Sequence, residues 1–483
     1  MESERPRADA PTLSVCEHLI LNTETDRLAL LVARNLLGVD ADRCPDSKGA
    51  IAAAPDISRP RCEEFRALGV LDGLRDYQMK GEGMNAPVVR LRRGDPEEAG
   101  MSAARLRLVA RLAESWVAQD MTPALVVLVA RRGVVVLHEA FGQLAPELDA
   151  PLPPDAIFPL GSISKALTAA TAMTLVEDGV LGLNRPVSEY LPELVGEGTG
   201  GVMVHHLMTH TSGFRDEDIA AHIADKRRAG EIPTPDDSAS PLAEAYRAFP
   251  FLLQIDAAYD APLWKPPGVE MSYCQYGYSL LAEIVERVAG KGVPELARER
   301  ICEPLGVADT SYGLPETRRH RVVRRPLTGA WGWLGTREFE ETTWSWASAF
   351  STAIDMAAFA QMFLNDGRYA GRRIFGSAAI AAMTRNQIPG VPATYRGEVF
   401  PEASWSLAWD VRGEKHALRD ASLLSSATFE HGGAGGVCLC IDPVNELVAA
   451  YFSVQLHAGQ RIGSPLWRGD LFVNAAVAAI EEP

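Results

Sequence analysis

Cysteine is scarce in this 483-residue chain, and its count is odd. The seven, Cys16, Cys44, Cys62, Cys274, Cys302, Cys438 and Cys440, follow neither a disulfide framework nor a zinc-ligand spacing. A disulfide-stapled scaffold is excluded, and a reduced, cytoplasmic protein is expected. The opening MESERPRADA is charged and has no apolar centre, so it does not read as a secretory signal. No run reaches the roughly 18 apolar residues of a membrane span. Positive charge is in deficit: 47 Lys and Arg face 63 Asp and Glu, for a formal net charge of −16. Such an acidic surface disfavours nucleic acid and anionic membranes as partners. Also missing are the G-x-S-x-G elbow of an α/β-hydrolase, the P-loop and the dinucleotide-binding glycine fingerprint. No cofactor is expected. His206 and His210 are four apart on an expected helix, a metal-compatible spacing, but no third ligand is evident and no metal is expected.

What remains is an ordinary globular composition, 47% hydrophobic and 23% charged. Residues 1–92 read as an N-terminal extension, with one helix over 25–37 followed by a Pro- and Asp-rich stretch. An interaction segment, a lid and a disordered tail are all open for it. From residue 93 the pattern becomes regular. Ser102 can cap a helix running to Gln119. LVVLVA and VVVLHEAF, split by Arg131-Arg132-Gly133, predict a β-hairpin. Residues 162–179 are apolar almost all round, as in a buried helix. Helix and loop dominate to Asn365. Strand-like runs then return as SWSLAWDV, GGVCLCID and ELVAAYFSVQ, before a last helix from Trp467 to Ile480. Strands at both ends with helices between them predict an α+β fold. Its antiparallel sheet would be built from both ends of the chain, flanked by the N- and C-terminal helices, with a mostly helical lobe inserted.

Three constellations carry chemistry. Ser162 and Lys165 are three apart, so on a helix they share a face. Ser162 would sit in the first turn, where free N–H groups favour negative charge. Lys165 would be buried, and burial disfavours the ammonium, so a neutral amine could take the serine proton. Short S-x-x-K matches also arise by chance, and Ser164 is a second serine on another face. Tyr273 precedes a clear amphipathic helix and can point its phenol at Lys165. Tyr273, Tyr276 and Tyr278 can equally be packed core. In Phe429-Glu430-His431-Gly432-Gly433-Ala434-Gly435-Gly436 the glycines allow close approach to the backbone. The N–H groups of Ala434 and Ser162 can then form an oxyanion hole, with His431 at its edge. The bland reading is a glycine turn with a surface histidine. Trp331, Trp333, Trp344 and Trp346 bracket a loop and either wall the site, binding an acyl or aromatic group, or pack the lobe.

Taken together, these segments resemble the serine β-lactamase and penicillin-binding superfamily, most closely its class C branch and the family VIII carboxylesterases. DPEEAGMSAARL, VHHLMTHTSGF, WSWASAFSTAIDMAAFAQMFLNDG and FEHGGAGG resemble family segments in the family's order, over about residues 93–460. The resemblance implies a β-lactamase/transpeptidase-like fold over 93–483. It implies Ser162 as the acylated nucleophile, Lys165 as base and Tyr273 as proton shuttle. Gln275 stands where the family has Asn, and His431-Gly432-Gly433 stands at the third motif. Gln275 carries its amide about 1.5 Å farther out. Histidine is largely neutral at pH 7, unlike a lysine that would hold a substrate carboxylate. Both departures point to ester hydrolysis of a small-molecule ester or acyl substrate, or to acyl transfer to an alcohol or amine. A β-lactamase or D-amino-acid peptidase, and a non-catalytic binding homologue, are the alternatives. Nothing in the sequence fixes the oligomeric state.

Overall fold

The computed structural model describes residues 90–482, apart from 146, 148, 149, 330, 396, 397, 415–420 and 458–465. The helix expected over 25–37 and the stretch after it lie outside the described residues.

Seven strands form the main sheet: β1 (Arg92–Arg93), β2 (Ala124–Arg131), β3 (Val134–Gly142), β4 (Asp410–Val411), β5 (Phe429–Gly433), β6 (Val437–Asp442) and β7 (Leu447–Ser453). Their order is β1-β3-β2-β7-β6-β5-β4. The hairpin of β2 and β3 turns at Arg132 and Gly133, both at positive φ, 53° and 76°. That is the turn whose twist matches its strands. The register Ala450↔Leu128 seats β7 from the far end of the chain directly against β2. Within this sheet, among the described residues, every pairing is antiparallel except β1 with β3. This parallel edge departs from the expected all-antiparallel sheet. It is two residues long, too short to leave a pattern in the sequence.

The principal helices are α1 (Ala103–Ala118), α2 (Ser164–Glu177), α3 (Asp216–Ala229), α4 (Gln275–Ala289), α5 (Ala353–Leu364) and α6 (Gly469–Val477). Leu106, Val109, Ala113 and Trp116 recur at helical spacing and form the buried stripe of α1. With Phe472, Val473 and Ala476 of α6 they cover one face of the sheet, over Leu125, Val127, Val129 and Tyr451. The alternate residues Val126, Leu128, Ala450 and Phe452 face the helical lobe. Both faces are therefore covered, and every residue of β2 and β7 is buried. Doubly covered strands read as unbroken apolar runs, as these do.

Two local expectations give way. SWSLAWDV contributes only Asp410–Val411 to the sheet. Ser406 Oγ accepts from Ala408 N at 3.3 Å and Trp409 N at 2.8 Å, a hydroxyl-capped turn that breaks the extended run. His206 and His210 do not share a helix, since that helix spans only Val204–Met208 and His210 has φ +58°. Among the described residues no helix is long and apolar enough to cross a membrane.

Candidate active site

One turn of 3₁₀-helix, Gly161–Ile163, leads into α2. Ser162 is partly exposed in that turn, and Lys165 follows one turn on with no exposed surface. Lys165 Nζ is hydrogen-bonded to Ser162 Oγ at 3.1 Å and to the Trp346 carbonyl at 3.3 Å. It also lies 4.8 Å from the ring centre of Tyr273 and 5.4 Å from that of Trp346. Burial pushes the Lys165 amine down to about 7, against the upward pull of Asp216. A neutral amine at hydrogen-bonding distance from a hydroxyl can take its proton. Ser164 is occupied structurally: its Oγ accepts from Ala349 N at 3.0 Å.

The segment before α4 places Tyr273 beside Lys165. Asp216, half-buried at the start of α3, accepts from Gln275 N at 2.9 Å and Tyr276 N at 3.1 Å. It thus caps a helix that is not its own. His210 grips the same segment twice. Its carbonyl accepts from Ser272 N at 2.8 Å, and its Nδ1 accepts from Cys274 N at 3.1 Å. Its ring lies 4.3 Å from that of Tyr273, which also meets Trp405 at 5.8 Å and His431 at 6.4 Å. The positive φ of His210 is what aims backbone and ring at one segment.

The glycine segment is the end of β5 and the tight turn into β6. It packs on the serine turn at backbone distance. A Cβ on Gly161 would lie 2.7 Å from Ala434 N, and one on Gly433 would lie 2.0 Å from Leu160 O. The protein's own chain thus leaves no room for a side chain at Gly433. His431 is 4% exposed, and burial beside Lys165 pushes it down to about 3. Its Nδ1 lies 2.8 Å from the Gly432 carbonyl, which can only accept. Nδ1 therefore carries the proton, and the buried Nε2 is a bare acceptor with no partner among the described residues. Gln275 Oε1 is likewise buried and unpartnered.

The structure thus gathers Ser162, Lys165, Tyr273, Ala434 and His431, while Gln275 begins α4 two residues beyond Tyr273. Trp333 is packed among Trp331, Phe339 and Trp344, and half-buried Trp331 lies beside the same cluster as Ala434. The tryptophans next to Lys165 and Tyr273 are Trp346 and Trp405. Sequence reasoning missed Asp216, the clamp by His210, and Trp405. Asp216 reads as ordinary first-turn acid, and Trp405 as a strand residue.

An antiparallel sheet covered by terminal helices, with a Ser-x-x-Lys helix tip seated on its glycine turn, is the architecture of the β-lactamase and penicillin-binding class. The family described as Beta-lactamase matches residues 109–467, and the chain belongs to that family. It is a member of a serine hydrolase superfamily. Penicillin-binding protein 4 of Amycolatopsis lactamdurans is 29% identical over 286 residues, 56% of this chain and 67% of that protein. A penicillin-binding protein homologue from Caulobacter crescentus has a similar structure at a TM-score of 0.61 and 24% identity, over 79% of this chain and 99% of that one. A family VIII carboxylesterase does so at 0.63 and 20%, again over 79% and 99%. At these identities the two structures establish the fold.

Proposed function

We propose that this chain is a serine esterase working through an acyl-enzyme on small, uncharged carboxylic esters. Ser162 is its nucleophile and Lys165 its base. The observation that carries the reading is the fully buried Lys165 amine, held near pKa 7 and 3.1 Å from Ser162 Oγ. Ser162 Oγ adds to the ester carbonyl while its proton passes to Lys165. The pair of Lys165 and Tyr273 returns a proton to the departing alcohol. Water then cleaves the acyl-enzyme, and an alcohol or amine in its place gives acyl transfer. The N–H groups of Ser162 and Ala434 receive the oxyanion.

Ester substrates are preferred because His431, buried and neutral, offers a lone pair where a substrate carboxylate would need a cation. Gln275, His431, Gly432, Gly433, Trp331 and Trp333 are proposed around the substrate, the two glycines through their backbone and Trp333 as support for Trp331. The similarity to a protein named for penicillin binding favours a second reading, β-lactam or D-amino-acid peptide turnover. Purified chain should hydrolyse a short p-nitrophenyl ester at least about 10²-fold faster than its Ser162→Ala variant. It should turn over a chromogenic cephalosporin poorly. Rapid cephalosporin cleavage without ester cleavage would reverse the preference. Absence of a fluorophosphonate adduct by intact mass would leave a non-catalytic homologue.

A further inference from the structure

Among the described residues Arg325 is a buried cation without an anion. It is 6% exposed, and its guanidinium donates to Gly435 O at 3.0 Å and Trp331 O at 3.3 Å. Its Nε has no partner among the described residues. Burial pushes its pKa down to about 10. The adjacent Arg324, by contrast, is 3.9 Å from Glu340. The chain is shaped around this side chain: a Cβ on Gly435 would lie 2.7 Å from the guanidinium Nη2, and one on Gly335 would lie 2.4 Å from Cγ of the stem. An unpaired buried charge costs several kcal/mol, on the order of what effective desolvation takes from one ion, and an apolar side chain of similar length avoids that cost. A group kept at such a cost needs an explanation. What this one holds is the turn containing Ala434. Gly435 O also accepts from Gln455 N at 2.7 Å, so the carbonyl after Ala434 is fixed from two sides.

We infer that Arg325 is a positioning residue of the oxyanion site. It clamps the Gly435 carbonyl so that the Ala434 N–H stays aimed at the reacting oxygen, and the oxyanion is its counter-charge. The inference rests on the esterase reading. As Ser162 Oγ bonds to the carbonyl carbon, the C=O π pair moves onto oxygen and Lys165 takes the serine proton. Negative charge near the turn thus exists only on the way to the tetrahedral intermediate. A cation fixed behind the turn favours that state over the neutral ester.

The test compares Arg325→Met and Arg325→Lys in the full chain with p-nitrophenyl butyrate and butylboronic acid. The boronic acid bonds to Ser162 Oγ as a tetrahedral anion while the serine proton passes to Lys165. Arg325→Met should lower kcat about 10- to 100-fold, leave KM within about 3-fold, and weaken the boronate by the same factor as kcat. Its Tm should equal or exceed the parent's, and Arg325→Lys should recover part of both losses. Unchanged kcat and boronate affinity in Arg325→Met would overturn the inference. A lowered Tm with the loss appearing in KM would also overturn it, since that marks collapse of the turn. If the parent chain and Ser162→Ala are equally inert and no Ser162 adduct forms, the esterase reading fails and this inference with it.

Discussion

At the residue scale the site turns on one proton. The Lys165 side chain would hold its proton up to about 10.5 in water, and in the fold it holds it only to about 7. Below about 7 both states are protonated, and the folded one carries the whole cost of a buried ammonium. Between about 7 and 10.5 the unfolded chain binds the extra proton, so the stability contributed here rises with pH. The shift bounds the cost at ~5 kcal/mol. Lys165→Met should therefore raise Tm at pH 6, by a margin that shrinks as the pH approaches 10. Ester turnover should vanish in the same variant. In the parent, kcat/KM should climb with pH through an apparent pKa near 7, where the amine becomes free to accept. A flat profile, or a Met variant less stable at pH 6, would show the amine to be charged and paired. Ser162 and Lys165 were legible because a three-residue spacing fixes a shared helix face. His210 was not, because its role depends on a single left-handed φ that no periodicity announces. Arg325 lies in a basic run, RRHRVVRR, that reads as solvated surface.

At the element scale the question is what holds a helix tip against a strand end. Leu160 O faces Gly433, and a Cβ there would lie 2.0 Å from that oxygen and 2.5 Å from Val437 Cγ2. Backbone oxygen cannot rotate away as a flexible side chain can, so β5 and the Leu160–Ser162 turn must part. Gly433→Ala should cost about 1–3 kcal/mol of stability, the range for forced overpacking. It should also slow acylation by roughly 10²-fold, because a displacement of about 1 Å spoils the alignment of the proposed nucleophile and oxyanion donors. Fluorophosphonate labelling rates alongside urea unfolding would read both. Normal labelling with normal stability would mean that the strand end is soft. The glycines were visible in the sequence, but their reason was not. A glycine run looks the same whether a ligand or the chain's own carbonyl needs the space. The cap that Asp216 lends to α4 was equally hidden, since a long-range cap has no fixed spacing.

At the scale of the whole molecule the two ends of the domain make one sheet, and the lobe with α2 lies between them in sequence. The pairing of β7 with β2 joins residues more than 300 positions apart, Ala450 opposite Leu128 among them. Such non-local pairing makes folding slow and puts the cost of loop closure ahead of its reward. The architecture was legible because strand-like runs cluster at both ends of the sequence. Strand order and the parallel edge were not, because they depend on pairings over that distance. The two faces of the sheet should then separate stability from chemistry. Phe472 is fully buried on the outer face, with its ring 5.8 Å from that of Tyr451. Phe452 is fully buried on the inner face, with its ring 5.7 Å from that of Phe158, four residues before Ser162. Either Phe→Ala change leaves a large cavity and should cost about 3–5 kcal/mol. Phe472→Ala should lower Tm yet keep kcat within about 2-fold at a temperature where it is folded, because the sheet stands between the cavity and the serine turn. Phe452→Ala should lower Tm similarly and also reduce kcat, because the segment entering Ser162 loses its support. Equal kcat losses in the two variants would mean that the sheet transmits strain across its thickness, and that fold stability and site geometry are not separable in this chain.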